Sequence, residues 1–560
     1  MGPSRAGARA AAGAAAFLLP VVYSPSMTAS AWTPKAAVVL ILAGIGLPRI
    51  VPLLNSDARK PAIAGLAFVG VATLATLLSP RPALSLFGLY NVGTGLLFIA
   101  ALVGAWSLAS VLDERGARFV ETGLLAGVAV NAAVAIVQGA FSPDVVPFTR
   151  YDGRSAGLLA NPVYLGALCA AAVPLLLPRL RGRSWAWAGV LVATAAAVEL
   201  SGSRLALGLA VGFTVVCFVR ERRGAALGTA LMAGGLVLGV AIGALGGTAT
   251  GTTRVQDASS GGVSARVHTW ASARHSIVDR PLLGVGPGQF RAATTPHRTR
   301  QIAQAEGPDR YFADAHNIVV EYTTTTGLIG VAAFLVFLVL VLKRARGPLL
   351  HFALVLLAVH LLEPQFVGTT PLIFLGAGAA GHAVDLPDMR LVSLLSVVSA
   401  ALAVLAASSV LIGDISLESA RLDFDAAAAR TAVDRMPPWP EPAGLAGRIA
   451  LYKAITTHAP VDRTDALDWR RRAAGRDTSD PHVWTTLGET QAYFGDIPGA
   501  LDSFRRALRL DPWSLIALDD TGKAASTLGH TDEARRALKR SLELQPNQPQ
   551  ARELLAQLGG

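Results

Sequence analysis

The residues with the clearest chemical potential are one histidine and a set of arginines. Asp314-Ala315-His316-Asn317 opens an apolar run, with Glu321 and Thr323 to Thr326 one to three turns further in. An imidazole placed there can take a proton from a hydroxyl, and the positive end of the helix dipole is expected to hold it neutral. The same position also suits a histidine that only caps a helix at an interface. Arg154 in Gly-Arg-Ser-Ala-Gly, Arg204 in Ser201-Gly202-Ser203-Arg204 and Arg266 in a long polar stretch are fixed cations. Guanidinium stays charged, presents a planar fork of donors and can neutralise a departing diphosphate. A lone arginine such as Arg81 or Arg150 reads equally as an anchor to lipid headgroups. His268, His275 and His297 share the polar stretch without metal-ligand spacing, so no metal is expected. His351, His360 and Glu363 read as polar partners inside a membrane.

Neither a Gly-x-x-x-x-Gly-Lys-[Ser/Thr] loop nor a strand-linked dinucleotide fingerprint is present, and no short loop has room for a nucleotide-binding domain. Group transfer therefore needs a donor that arrives activated, which a lipid-linked pyrophosphate would be.

The elements that must position these groups are apolar. Of 560 residues, 52% are hydrophobic and 16% charged, and the mean hydropathy is +0.47. That composition excludes a soluble enzyme, a collagen-like rod and a disordered chain. The net charge of +11 sits in short clusters between apolar runs, so it carries topology and not a nucleic-acid footprint. Cys169 and Cys217 lie inside apolar runs and support neither a disulfide framework nor a metal knuckle.

Hydropathy gives about thirteen candidate spans, starting near residues 8, 35, 62, 86, 118, 161, 185, 204, 225, 317, 349, 370 and 391. The first, behind Arg5 and Arg9, reads as a retained helix more than as a signal peptide. Basic clusters at Arg49, Arg59 and Lys60, at Arg115 and Arg118, at Arg179, Arg181 and Arg183, at Arg220, Arg222 and Arg223, and at Lys343, Arg344 and Arg346 occupy every second short loop. The positive-inside rule then places the amino terminus in the cytoplasm. The loops carrying Arg81, Arg150, Arg154 and Arg204 face outward with the long connection, and the carboxyl terminus follows them. Within that connection, Ser264 to Val278 reads as an amphipathic helix, stopped at Asp279-Arg280-Pro281 and Gly284-Val285-Gly286-Pro287-Gly288.

Past residue 414 the chain becomes charged and Ala-rich, with a tetratricopeptide pattern of period 34. Trp484, Leu487, Gly488, Ala500, Phe504, Ala507 and Pro512 hold the signature spacing. Leu518, Gly522, Ala534, Leu538, Ser541 and Pro546 repeat it, and Ala466 and Ala473 hold the phase of a degenerate earlier repeat. The expected architecture is all-α: a polytopic membrane helix bundle over 1–413 with a large extracytoplasmic loop over 247–315, a linker over 414–446, and a tetratricopeptide solenoid over 447–560.

An ordered set of motifs resembles the O-antigen ligase and Wzy-type polysaccharide polymerase family. It comprises Gly153-Arg154 with Asn161-Pro162; Ser201-Gly202-Ser203-Arg204; Ser264-x-Arg266-x-x-x-Trp270; Arg280-Pro281-Leu282-Leu283-Gly284-Val285-Gly286; and Ala315-His316-Asn317 with Gly327-Leu328-Ile329-Gly330. The resemblance covers roughly residues 60 to 385. It implies a multipass glycosyltransferase of the bacterial cytoplasmic membrane, working on the outer face without metal or other cofactor. The glycan would pass from a polyprenyl-pyrophosphate donor to a sugar, lipid or protein acceptor. His316 carries over as the base and Arg204 and Arg266 as the pyrophosphate cations, with Arg154, Arg280, Asn317 and Trp270 as substrate-binding positions. Trp270 serves equally well as a packing residue of the loop helix.

The external repeats depart from the simplest pattern of that family. They are expected either to recruit a protein partner on their concave face or to space the assembly. Three functions remain open: a ligase that moves a finished glycan, a polymerase that extends one, and a transporter of lipid-linked sugars. A transporter would show paired discontinuous helices and midplane ionisable groups, whereas the polar groups here gather at one face. A scaffold built around the repeats is a further alternative.

Overall fold

The computed structural model describes residues 3–141, 153–182, 184–221, 226–256, 261–381, 384 and 390–559, and their regular structure is helical. Among the described residues, seven helices are long and apolar enough to cross a membrane: Thr33–Leu53, Arg59–Leu77, Glu114–Ala140, Pro162–Gly182, Ala226–Gly246, Ile318–Arg344 and Arg390–Asp423. Six shorter apolar helices complete the bundle: Ala6–Val21, Leu96–Ser110, Trp185–Leu200, Arg204–Val219, Gly347–His360 and Thr370–Ala379. They stand at the expected places with one adjustment. The span expected from residue 86 begins at Leu96, because Pro82–Phe87 is a separate short helix ended by Gly88 at φ 79°. Arg150, Arg183, Arg222 and Arg223 lie outside the described residues, as do the side chains of Arg5, Arg220 and Ser264.

Packing inside the bundle relies on small residues, as it must where lipid removes the hydrophobic drive between helices. Gly46 of Thr33–Gly46 lies against the Gly104 carbonyl of Leu96–Ser110, and Ser107 Oγ donates to the Gly46 carbonyl at 2.6 Å. The outward faces stay apolar: Leu391, Leu394, Val397, Leu402 and Leu405 of Arg390–Asp423 are exposed, which suits contact with hydrocarbon. Alternation of the helices brings the described basic clusters to one end of the bundle and the long connection and repeats to the other.

Ile318–Arg344 is interrupted at Gly327, where φ is 69° and ψ −176°. Nine residues into the helix is about 13 Å below its start, well within an apolar layer. Residues 281–286 of the connection lie in the break. Leu328 N–H donates to the Pro281 carbonyl at 2.7 Å and Ile329 N–H to Leu282 at 3.3 Å, while Val285 and Gly286 donate to Thr324 and Thr325 at 3.2 and 2.9 Å. Two peptide groups on each side of the kink are thereby satisfied. The hydroxyls of Thr323 to Thr326 each donate to the carbonyl four residues earlier, the pattern that bends helices.

The carboxyl-terminal helices pair as Pro440–Thr457 with Pro460–Arg476, Pro481–Tyr493 with Ile497–Leu510, and Leu515–Thr527 with Thr531–Leu544, followed by Pro549–Gln557. The signature glycines have a steric cause. A Cβ at Gly488 would enter the Phe504 ring and one at Gly522 would meet Leu538, so glycine lets the two helices of each pair close. The degenerate repeat is a full helix pair, with Ala466 and Ala473 buried in it. The last apolar helix continues unbroken to Asp423, and Ala426–Arg435 carries the chain to the repeats. Trp439 fastens that junction to the bundle, its Nε1 donating to the Gly88 carbonyl at 2.8 Å and its ring packed on Trp32 and Tyr90.

Gly327→Val should abolish the folded bundle, since the new side chain would strike the Leu282–Leu283 backbone at a φ that valine does not tolerate. Gly70→Ala, which faces open space, should leave it intact. Size-exclusion profiles of the two detergent-solubilised variants decide the point; a monodisperse Gly327→Val protein refutes the role given to the break.

Candidate functional site

His316 stands two residues ahead of Ile318, where the broken helix begins. Asn317 is the cap: its Oδ1 accepts from Val319 and Val320 N–H at 2.8 and 3.0 Å, and its Nδ2 donates to the Leu361 carbonyl at 2.8 Å. His316 itself holds φ 51°, a left-handed conformation that turns its ring away from the helix. Nδ1 faces Asp314 Oδ1 at 3.0 Å, Phe312 packs edge-on at 5.2 Å, and the imidazole remains 23% exposed, enough for a substrate to reach. Behind it, the buried Glu321 accepts from Ala315 N–H at 2.9 Å, and Trp270 Nε1 donates to the Ala315 carbonyl at 2.7 Å.

The surroundings of the ring act against the helix dipole. Burial pulls the ring down, but the Asp314 carboxylate, as charge and as hydrogen-bond acceptor, outweighs it, and Glu363 adds to the effect against Arg266. The net result lies above the ordinary 6.5. A carboxylate within hydrogen-bond reach dominates the helix dipole because the ring faces Asp314 and not the helix N–H groups. Arg266 reaches the same place from the loop helix Gly261–Asp279 and pairs with Glu363 at 2.7 Å. Burial raises the Glu363 carboxyl, with Arg266 and His316 opposing it.

A second cationic group surrounds the turn 201–203. Ser155 N–H donates to the Leu200 carbonyl at 3.1 Å and Ala249 N–H to Gly153 at 3.0 Å, tying three loops together. The buried Arg154 side chain lies on Gly202, where a Cβ would collide with it. Arg254 donates to the Gly202 carbonyl at 3.4 Å. Arg204 opens its helix exposed, with no hydrogen bond or ion pair among the described residues.

One helix separates the two groups. In Pro162–Leu176, capped by Asn161, Tyr164 stacks on Phe366 at 4.4 Å, three residues from Glu363, while Gly166 faces Ser201 and Ser203. Both groups thus adjoin the first turns of this helix, the arginines through the 201–203 turn and the histidine group through the segment that carries Glu363. His316, Asn317, Trp270 and Arg266 come together on one side, and Arg154 and Arg204 on the other. Arg280 joins neither: its side chain is exposed and its charge acts on Arg81. Arg81, read as a lipid anchor, donates to Gln289 at 2.8 Å instead. His360 is a buried polar partner, its ring nitrogens meeting the Pro364 carbonyl and the Thr369 and Thr370 hydroxyls.

Sequence reading missed the roles of Asp314 and Glu363. Asp314 had a signal, being two residues from the histidine; Glu363 was read as a polar group in a membrane, but its partner Arg266 is 97 residues away.

It also missed what occupies the repeats. The segment between residues 281–286, which strap the helix break, and His316 lies against them. Arg291 pairs with Asp477 at 2.8 Å and Asp480 at 3.1 Å, and Arg298 with Asp511 at 2.9 Å, the latter pair 5% and 0% exposed. Arg300 pairs with Glu543 at 3.2 Å, Ser514 donates to Asp309 at 2.7 Å, and Ala303 of the short helix Arg300–Glu306 packs among Leu518, Ala537 and Leu544.

Residues 188–335 match the family model described as O-antigen ligase, and residues 493–558 match a tetratricopeptide repeat model. No curated protein matches the chain. Among solved structures, a MamA protein is 19% identical over 27% of this chain and 80% of its own, with a TM-score of 0.23. Pseudomonas aeruginosa pilF is 16% identical over 27% of this chain and 67% of its own, also at 0.23. Scores this low carry no argument about the arrangement of the whole chain.

Two outcomes follow from the geometry. If His316 must begin as free base, activity should rise with pH through a midpoint above 6.5. Asp314→Asn removes the carboxylate and leaves burial, so the midpoint should move to lower pH and the plateau should fall; an unmoved midpoint assigns the titration to another group. Arg298→Met strands a buried Asp511 and should cost about 3–5 kcal/mol, whereas Arg298→Met with Asp511→Leu should recover most of it. Thermal unfolding of the purified protein compares the two.

Proposed function

Because the chain carries an O-antigen ligase domain followed by tetratricopeptide repeats, we propose that it is a glycosyltransferase of the bacterial cytoplasmic membrane that joins a glycan from a polyprenyl-pyrophosphate donor to an acceptor. The ligase domain supports a membrane ligase or polymerase role. The observation that carries the finer reading is an accessible, carboxylate-oriented His316 paired through Glu363 with the Arg266 cation, in a chain that also gathers Arg154 and Arg254 at the 201–203 turn.

In this reading Asp314 holds Nδ1, so Nε2 faces the acceptor and takes its hydroxyl proton. The acceptor oxygen attacks the anomeric carbon, the bond from that carbon to the pyrophosphate oxygen breaks, and the electron pair leaves with the polyprenyl pyrophosphate. Arg204 and Arg154 neutralise that charge, and Arg266 supplies the cation nearer the ring. Asn317 and Trp270 fix the backbone around His316, through the Leu361 and Ala315 carbonyls. Arg280, apart from both groups, is given no part in the transfer.

The basic clusters at the opposite end of the bundle support an extracytoplasmic site and an extracytoplasmic repeat domain. Transport is less well supported: the described residues contain one helix with non-helical backbone inside it, Ile318–Arg344, where a transporter would show a pair.

The test is to delete the gene in its host, profile lipid-linked glycans by mass spectrometry, and complement with wild type or His316→Ala. Long lipid-linked chains should accumulate in the deletion and persist with His316→Ala at wild-type membrane levels. Accumulated single repeat units would make it a polymerase, and full complementation by His316→Ala would end the assignment.

A further inference from the structure

A cavity of about 810 Å³ lies between the first repeats, the loop segment 291–311 and the loop-bearing face of the bundle. Its size is that of a site for several sugar rings. The bundle contributes Thr28 and Tyr90, the loop Arg291 and Tyr311, and the repeats Arg448 and Arg470. Tyr311 is five residues before His316, at most about 18 Å of extended chain. Its neighbour Phe312 packs on the imidazole while Tyr311 faces the cavity, so one thickness of loop separates the cavity from the base.

The wall is rich in donors. Its acids are Asp480, Asp309 and Glu441: Asp480 is paired with Arg291, Asp309 accepts from Ser514, and Glu441 stands in the field of Arg291. Arg448 is exposed, over the Phe424 ring at 5.9 Å, and Arg470 Nε is a buried donor without a hydrogen-bond acceptor, although Arg470 Nη1 donates to the Gly444 carbonyl at 3.2 Å. Threonine hydroxyls at 485 and 486 add further polar edges. Hydroxyl- and carboxylate-bearing sugars supply many acceptor oxygens and flat faces for tyrosine. A peptide is the less favoured occupant, because the apolar ground that the repeats offer near Leu518 and Leu544 is already filled by the chain's own Ala303.

We propose that this cavity is the acceptor site, holding a glycan chain so that its growing or receiving end reaches His316. This rests on the transfer reading above, and its test has a readout independent of turnover. A benzoylphenylalanine introduced at Ile516, which lines the cavity, is photolysed in living cells of the host. The expected product is an adduct that resists protease and is destroyed by periodate. Gly444→Trp, built where the added side chain meets open space in the cavity wall, should remove that adduct and raise the acceptor KM at least tenfold with the donor KM unchanged. Arg448→Ala, which removes only an exposed guanidinium, should lower adduct yield several-fold and serves if the tryptophan variant misfolds.

A protein adduct, or no adduct at Ile516 with wild-type membrane levels, overturns the proposal. So does an unchanged acceptor KM in a folded Gly444→Trp protein. If His316→Ala stays fully active while the glycan adduct forms, the site stands as a glycan-binding site and the transfer reading falls. If His316→Ala is dead and the adduct is absent, the reverse holds.

Discussion

The exchange of backbone hydrogen bonds at Gly327 is the constraint on which the rest of the molecule depends. An unbroken helix would close Leu328 onto Thr324 and Ile329 onto Thr325; here both bonds are given up, and Pro281, Leu282, Val285 and Gly286 take all four groups. In an apolar layer an unsatisfied peptide group costs several kcal/mol, so neither partner is stable without the other. The strap is therefore part of the bundle, although it belongs to a long polar connection. Fixing residue 286 on one side and residue 318 on the other leaves the intervening loop as a tethered arc, with His316 at its end.

That arc is rich in arginine, and lipid headgroups would be a natural home for it. The repeats offer a competing one. Arg291, Arg298 and Arg300 meet Asp477, Asp480, Asp511 and Glu543, and the Arg298–Asp511 pair is withdrawn from water. Such pairs add little net stability over apolar packing, yet breaking one is costly. Their effect is to specify which loop residue meets which repeat. The repeats thereby act on the bundle from outside, holding the loop that leads to the histidine, and the surface available to another protein is correspondingly smaller.

Much of this was legible because membrane helices and helix repeats are written in local patterns. The apolar runs, the 34-residue period and the Asn317 cap need only neighbours in sequence. Gly488 and Gly522 were readable as signature positions, and the structure adds the ring and the leucine that require them. What escaped was long-range. The strap joins residues 281–286 to 324–329, Arg266 meets Glu363 across 97 residues and Arg298 meets Asp511 across 213. The sequence motifs on either side of the strap were each visible, but nothing local says that they are the two halves of one joint. The carboxylate that faces the histidine was hidden for a related reason. A dipole argument needs only the helix start, whereas the direction of the ring is set by a left-handed φ that one sequence does not announce.

The two groups of charged residues also differ in sign, and that difference orients a substrate. Around His316 stand Asp314, Glu363 and the buried Glu321 against Arg266; around the 201–203 turn stand Arg154, Arg204 and Arg254 with one acid, Glu199, which accepts from Thr252 N–H at 2.7 Å. In the transfer proposed above, a pyrophosphate carrying more than one negative charge would favour the side with the greater excess of arginines. An anionic leaving group settles at the arginines, and a neutral hydroxyl is the group that the acid-flanked imidazole accepts. In the proposed transfer this difference would set the direction, with the bond to be broken toward the 201–203 turn and the bond to be made toward His316.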